Sequence, residues 1–258
     1  MQQVFHLWID VPGTQSEVPT LTWYPPMQKA GNSAVIIFPG GGYHHRAAHE
    51  GEGYARMLNS FGITAFVVDY RVLPAKFPDP LSDARRAVRY VRYHAEQFGI
   101  DKDKIAVMGS SAGGHLTALL CTYETCVLGD GIDEISKEDY LPNAQILCYP
   151  VISHEKDITN MWSYNNLLGE DAGAWQEYSP DKLVNTHTPQ AFIWHTAEDA
   201  GVNVINSYYY ATALRQANVP CEMHVFPYGA HGLGLAPRYP HIAQWSELLR
   251  HWLQLIGF

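Results

Sequence analysis

Six short apolar runs rich in β-branched residues, separated by helix-forming or glycine-rich segments, constrain this chain more than any other feature. They lie at Ala34–Phe38, 64–68, 105–108, 144–149, 191–194 and 223–226. A strand buried on both faces reads as a continuous apolar run, because neither set of alternating side chains meets water. Such strands alternating with helices predict an α/β fold, a mostly parallel central sheet with helices on both faces. Weaker alternation at 4–9 and 21–24 suits antiparallel strands at one edge of that sheet.

The clearest helix follows Asp79-Pro80, an acid at the N-cap and a proline at the first helical position. Leu81, Ala84, Val88, Val91 and Ala95 then recur at steps of three and four, and Phe98-Gly99 supplies a stop. Tyr208, Ala211, Leu214 and Ala217 mark a second helix, and Ile242, Trp245, Leu248, Leu249, Trp252 and Leu255 a third. No repeat or compositional break divides the 258 residues, so residues 1–258 are expected to form one domain. A chain of this length buries roughly three quarters of its unfolded surface and needs no disulfide or metal staple. The stretch at about 150–190 shows little periodicity but carries Trp162, Tyr164, Trp175 and Tyr178. A loop-rich segment that long in a compact domain points to substrate binding.

Seventeen Lys and Arg stand against 26 Asp and Glu, for a formal charge of −9, and no basic run exceeds two residues. That balance argues against nucleic acid as a partner. Cys121, Cys126, Cys148 and Cys221 form no C-x-x-C pair and read as small core residues. Residues 1–10 carry neither a basic n-region nor a long apolar stretch, so the expectation is a cytoplasmic protein without a membrane contact. Homo-oligomerisation is left open.

Gly109-Ser110-Ser111-Ala112-Gly113 follows the run at 105–108 and precedes a helix-forming stretch, giving G-x-S-x-G between strand and helix. A nucleophile on a sharp strand-to-helix turn needs residues without side chains two positions before and after, where the two elements close up. Ser111 is the candidate nucleophile. Earlier, Pro39-Gly40-Gly41-Gly42-Tyr43 places three glycines at the end of Ala34–Phe38. Consecutive glycines let backbone N–H groups turn inward with no Cβ in the way, so Gly41 and Gly42, with the N–H of Ala112, are candidate oxyanion donors.

A serine hydroxyl needs a base, and the base needs an acid to orient it, here sought downstream in the order Ser, acid, His. His231, in Gly229-Ala230-His231-Gly232, follows the last apolar run in a glycine-flanked loop, whereas His224 lies inside a run and His195 ends one, and both read as packing or surface residues. Asp199 is the preferred acid from its offset before Val202-Asn203, with Glu198, Asp69 and Asp157 as competitors. Tyr43, His44 and His45, together with Trp162 and Trp175, are expected to shape the substrate cleft, since aromatic faces pack on sugar rings and acyl chains. The histidines show no metal-ligand spacing.

In this order of parts the chain resembles the α/β-hydrolase fold, and within it the acyl esterases of the acetyl-xylan-esterase and hormone-sensitive-lipase-like type. The resemblance spans about 34–253 and rests on Pro39-Gly40-Gly41-Gly42-Tyr43, Asp69-Tyr70-Arg71, the helix at 83–98, Gly109 to Leu116, Ser179-Pro180-Asp181-Lys182-Leu183 and His231-Gly232-Leu233-Gly234. It implies a serine carboxylesterase acting on small-molecule esters of short acyl chain, acetylated sugars among them, through a Ser-His-Asp triad and an acyl-enzyme, with no cofactor. Two departures stand out: Pro39 replaces the usual histidine before the glycines, and the acid loop reads Glu198-Asp199-Ala200-Gly201-Val202-Asn203. A serine peptidase-like hydrolase and a non-catalytic binding protein on the same scaffold are the alternatives.

Overall fold

A computed structural model describes residues 2–8, 19–155, 158–169 and 175–258, apart from the side chain of Trp175. Strands β1 (Gln3–His6), β2 (Thr20–Tyr24), β3 (Ala34–Phe38), β4 (Thr64–Asp69), β5 (Ile105–Ser110), β6 (Ala144–Cys148), β7 (Gln190–Thr196) and β8 (Cys221–Phe226) form one sheet in the order β1-β2-β4-β3-β5-β6-β7-β8. The pairs from β4 through β8 are parallel, while β1 and β2 add antiparallel strands at the edge. The expected architecture is present, and the antiparallel edge includes both weakly alternating segments; Ile9 lies outside the described residues.

The helices are α1 (Glu52–Ser60), α2 (Asp79–Tyr93), α3 (Ala95–Phe98), α4 (Ala112–Thr122), α5 (Met161–Leu168), α6 (Pro180–Leu183), α7 (Ile205–Gln216), α8 (Pro240–Ala243) and α9 (Trp245–Leu255). Strand β3 shows why its sequence is uniformly apolar. Ala34, Ile36 and Phe38 enter a core with Leu81, Val88 and Leu116 of α2 and α4. Val35 and Ile37 point the other way, to Tyr54 and Leu58 of α1 and Trp245 and Leu249 of α9.

Several boundaries differ from the expectation. Asp79 is the first residue of α2 and Pro78 its N-cap, so Pro80 sits one position later than expected. The apolar stripe also spans two helices, because the chain breaks at His94 before α3, which ends on left-handed Gly99. Strand β5 continues through Gly109 and Ser110, paired with Leu147 and Cys148. The aromatic segment is not all loop: Asn160 accepts a hydrogen bond from the Ser163 N–H at 2.9 Å and starts α5. Two turns are too short for periodicity to register. Of the cysteines, Cys121 and Cys148 are buried, Cys221 is half-buried and Cys126 is exposed, so the last is not a core residue.

The buried arginines of α2 work as clamps on the 123–143 connection. Arg85 pairs with Asp130 and donates to the Thr125 carbonyl, Arg86 pairs with Asp133, and Arg89 donates to the carbonyl of Glu138. Arg71 is likewise structural. Its Nη2 and Nε lie 2.8 and 2.9 Å from the two oxygens of Asp83, which is 0% exposed and also receives the Trp8 Nε1–H at 2.7 Å. Removing one member of a buried pair strands the other charge, so Arg71→Met is expected to destabilise the protein by about 3–5 kcal/mol in urea unfolding. An unchanged midpoint and slope would refute that role.

Candidate active site

Ser111 is the first residue beyond β5 and takes φ +53, ψ −119, a conformation that L-residues rarely adopt. The turn is held by the Ser111 N–H donating to the Cys148 carbonyl, while the Ser111 carbonyl accepts from His115 and Val151. The flanking glycines are required by contact. A Cβ at Gly109 would lie 2.1 Å from the Gly113 carbonyl oxygen, and one at Gly113 would lie 2.0 Å from that of Phe38. The residue so presented is 9% exposed.

The triglycine loop lies beside this turn. Gly41 has φ +125 and Gly42 φ +63, and the Gly41 carbonyl accepts from His44 and His45. No acceptor for the Gly41 or Gly42 N–H occurs among the described residues. The Ala112 N–H opens α4, where the first amides have no partner within the helix. Helix α5 clamps the loop from outside: Asn166 Nδ2 donates to the Gly42 carbonyl at 2.8 Å, and Trp162 packs so closely that a Cβ on Gly42 would fall 2.0 Å from its ring.

His231, in the loop after β8, meets both partners. Its Nε2 lies 2.8 Å from Ser111 Oγ and its Nδ1 2.7 Å from Asp199 Oδ2. A carboxylate only accepts, so Nδ1 carries the proton and Nε2 is free to accept from the serine hydroxyl. Asp199 Oδ1 accepts from the N–H groups of Gly201 and Val202, each at 2.8 Å. Buried His195 is a further neighbour: its Nε2–H faces Asp199 Oδ2 at 3.2 Å and the Val202 carbonyl at 3.0 Å, while Nδ1 is 2.8 Å from Ser207 Oγ. Burial opposes ionisation of Asp199, but the hydrogen bonds from His195 and His231 and the Val202 amide outweigh it and hold its pKa well below the usual carboxylate range.

Ser111, His231, Gly41, Gly42 and Trp162 border one cleft of about 340 Å³, with His49 and Glu50 on its wall. Of the other expected cleft residues, His44 is exposed with its ring 5.9 Å from that of Trp162. Tyr43 is different. It is 1% exposed and its hydroxyl is bonded to His115 Nδ1 at 2.8 Å, so it braces the loop from within the core rather than facing the cleft. Burial lowers the His115 pKa to about 4, which keeps that partner neutral. Tyr164 is also buried, its hydroxyl donating to the Tyr178 carbonyl. The side chain of Trp175 lies outside the described residues, as does Asp157.

Of the competing acids, Glu198 is exposed and accepts from the Gly229 N–H at 3.3 Å, and Asp69 pairs with Arg46 at 3.1 Å. Sequence reasoning missed Glu50 and the contact of His195 with Asp199. The four-residue spacing from His195 to Asp199 was the available signal for the second; Glu50 offered none. Among the described residues there is no cluster of three or more metal-ligating side chains, and no helix is long and apolar enough to cross a membrane.

Comparison with known proteins extends these observations. The BD-FAE family profile matches residues 21–214. Endo-1,4-beta-xylanase B of Butyrivibrio fibrisolvens is 36% identical over 225 residues, which cover 85% of this chain and 35% of that protein. The acetylxylan esterase of Xylanibacter ruminicola is 34% identical over 230 residues, covering 86% of this chain and 45% of that one. The chain thus spans less than half the length of these two relatives. Among solved structures, an acetyl ester-xyloside bifunctional hydrolase from Caldicellulosiruptor lactoaceticus aligns with a TM-score of 0.92 at 40% identity over 99% of this chain and 97% of that one. A propionate-bound esterase from Thermogutta terrifontis aligns with a TM-score of 0.82 at 27% identity, over 99% and 94% of the two chains.

Proposed function

The chain belongs to the BD-FAE family and has the α/β-hydrolase fold, and from that premise we propose that it is a carboxylic ester hydrolase, a serine esterase of short acyl groups with acetylated sugars among its substrates. The observation that carries this reading is the unbroken chain of contacts from Ser111 Oγ through His231 to Asp199, at 2.8 and 2.7 Å.

His231 takes the proton of Ser111 as the hydroxyl oxygen attacks the ester carbonyl, and Asp199 keeps the imidazole in the accepting tautomer and stabilises the imidazolium. The N–H groups of Gly41, Gly42 and Ala112 receive the negative charge that develops on the carbonyl oxygen. Each such donor lowers the barrier by about 3 kcal/mol in comparable sites. His231 returns its proton to the leaving alcohol, and an acyl-enzyme remains on Ser111. A water molecule, deprotonated by the same imidazole, then releases the acid. Trp162, 52% exposed on the cleft rim, offers an apolar face to the alcohol portion of the ester.

A cleft of about 340 Å³ shared between acyl and alcohol portions leaves room for a short acyl chain. A series of p-nitrophenyl esters of increasing acyl length is therefore expected to show the highest kcat/KM at acetyl to butyryl and a steep fall at longer chains. Turnover of peptide amides at a similar rate would favour a peptidase. An absence of turnover on every ester would overturn the proposal.

A further inference from the structure

We propose that Glu50 is a positioning residue, a buried carboxylate that fastens the triglycine loop, the end of β5 and the His231 loop to one another. This rests on the triad reading above and extends it to a residue outside the triad. Glu50 closes a short 3-10 turn, is 2% exposed and faces the cleft wall.

Its two oxygens serve different loops. Oε2 accepts from the N–H of Gly40, the first glycine of the triglycine loop, at 2.8 Å. Oε1 accepts from the hydroxyl of Tyr149 at 2.7 Å. The Tyr149 oxygen in turn accepts from the N–H of Gly234, three residues after His231, at 3.0 Å. It also lies 3.1 Å from the Tyr54 hydroxyl, which accepts from Ser110 Oγ at 3.0 Å. The Tyr149 ring meets the His231 ring edge-on, 5.2 Å between centroids.

These contacts have a direction. Backbone N–H groups can only donate, so with Glu50 as a carboxylate the hydroxyl protons run one way, from Ser110 to Tyr54 to Tyr149 to Glu50. Burial and the nearby carboxylate both push the Tyr149 pKa up, which keeps its hydroxyl a donor. One acceptor group thereby sets the height of Gly40 next to the oxyanion donors, the place of Ser110 next to the nucleophile, and the span of the His231 loop. Glutamine in its place has the same shape but only one acceptor oxygen, so it can serve the Gly40 N–H or the Tyr149 hydroxyl but not both at once, and neither loop keeps a permanent acceptor.

The test compares wild type, Glu50→Gln, Tyr149→Phe and the double variant, with Ser111→Ala as the inactive control. Glu50→Gln is expected to keep a cooperative thermal transition and a nearly unchanged KM while kcat on an acetyl ester falls about a hundredfold, the size of effect that small misplacements of reacting groups produce. The double variant should lose little more than either single one, because both cut the same link. Hydrogen–deuterium exchange gives a readout independent of turnover: segments containing Gly40 and Gly234 should exchange faster together in Glu50→Gln. A wild-type kcat in Glu50→Gln, a loss that follows its unfolded fraction, additive losses in the double variant, or unchanged protection of either loop would each overturn the proposal. Absence of esterase activity in the wild-type protein would instead indict the triad reading, and the exchange data would still decide the role of Glu50.

Discussion

Replacing Ser111 with alanine is expected to lower kcat on a short acyl ester by on the order of a millionfold, to the background set by binding and the backbone donors. In the proposed mechanism the hydroxyl oxygen supplies the bond that forms in the first step, and its described side-chain contact is with His231 Nε2. Little else depends on it. The backbone of residue 111 is fixed by Cys148, His115 and Val151, and alanine meets the same φ of +53 as serine does, so the thermal transition should barely move. Covalent labelling by a fluorophosphonate should vanish in parallel. Turnover comparable with wild type in a folded Ser111→Ala protein would remove the serine mechanism altogether.

The second large effect is expected at Asp199. Changing it to asparagine should cut kcat by about ten thousandfold, and the surroundings dictate how. Two backbone N–H groups, from Gly201 and Val202, point at one side-chain oxygen. The amide oxygen of asparagine must stay there to satisfy them, which turns its NH2 toward His231 and His195. His231 Nδ1 then has to accept, its proton moves to Nε2, and the nitrogen that should receive the serine proton is occupied. Glu198→Gln removes a charge from an exposed side chain, leaves an amide oxygen that can still accept from the Gly229 N–H, and should leave kcat near wild type. Measuring both variants on the same ester discriminates the two carboxylates, and the reverse ranking would show that Glu198 is the acid.

The parts of this site that were legible in the sequence are those whose constraint is local. Glycines at 109 and 113 are required by carbonyl oxygens within about four residues of chain or in the neighbouring strand, so the motif itself carries the geometry. His231 and Asp199 followed from their places after successive apolar runs. What stayed hidden depends on partners far apart in the chain. Glu50 is 99 residues from Tyr149, and nothing in its neighbourhood, Ala47-Ala48-His49-Glu50, announces a buried acceptor. Tyr43 sits next to the glycines yet turns inward, because His115, 72 residues on, offers its ring nitrogen in the core. Strand β5 looked two residues short because Gly109 and Ser110 interrupt the apolar composition while their backbone pairing with β6 continues. Helix α5 was missed because two turns with a single side-chain cap leave too brief a pattern to separate from a loop.

Helix α5 has a consequence for how such a scaffold can change over time. The indole that forms the outer lip and the amide that grips the peptide behind it sit one turn apart on the same eight residues, and both bear on Gly42. Remodelling the entrance to admit a bulkier guest therefore also shifts the floor beneath it. On the proposed reading of this site the choice of guest and the speed of its conversion are inherited together, and a variant that alters one without the other has to rebuild the grip on Gly42 by some other route.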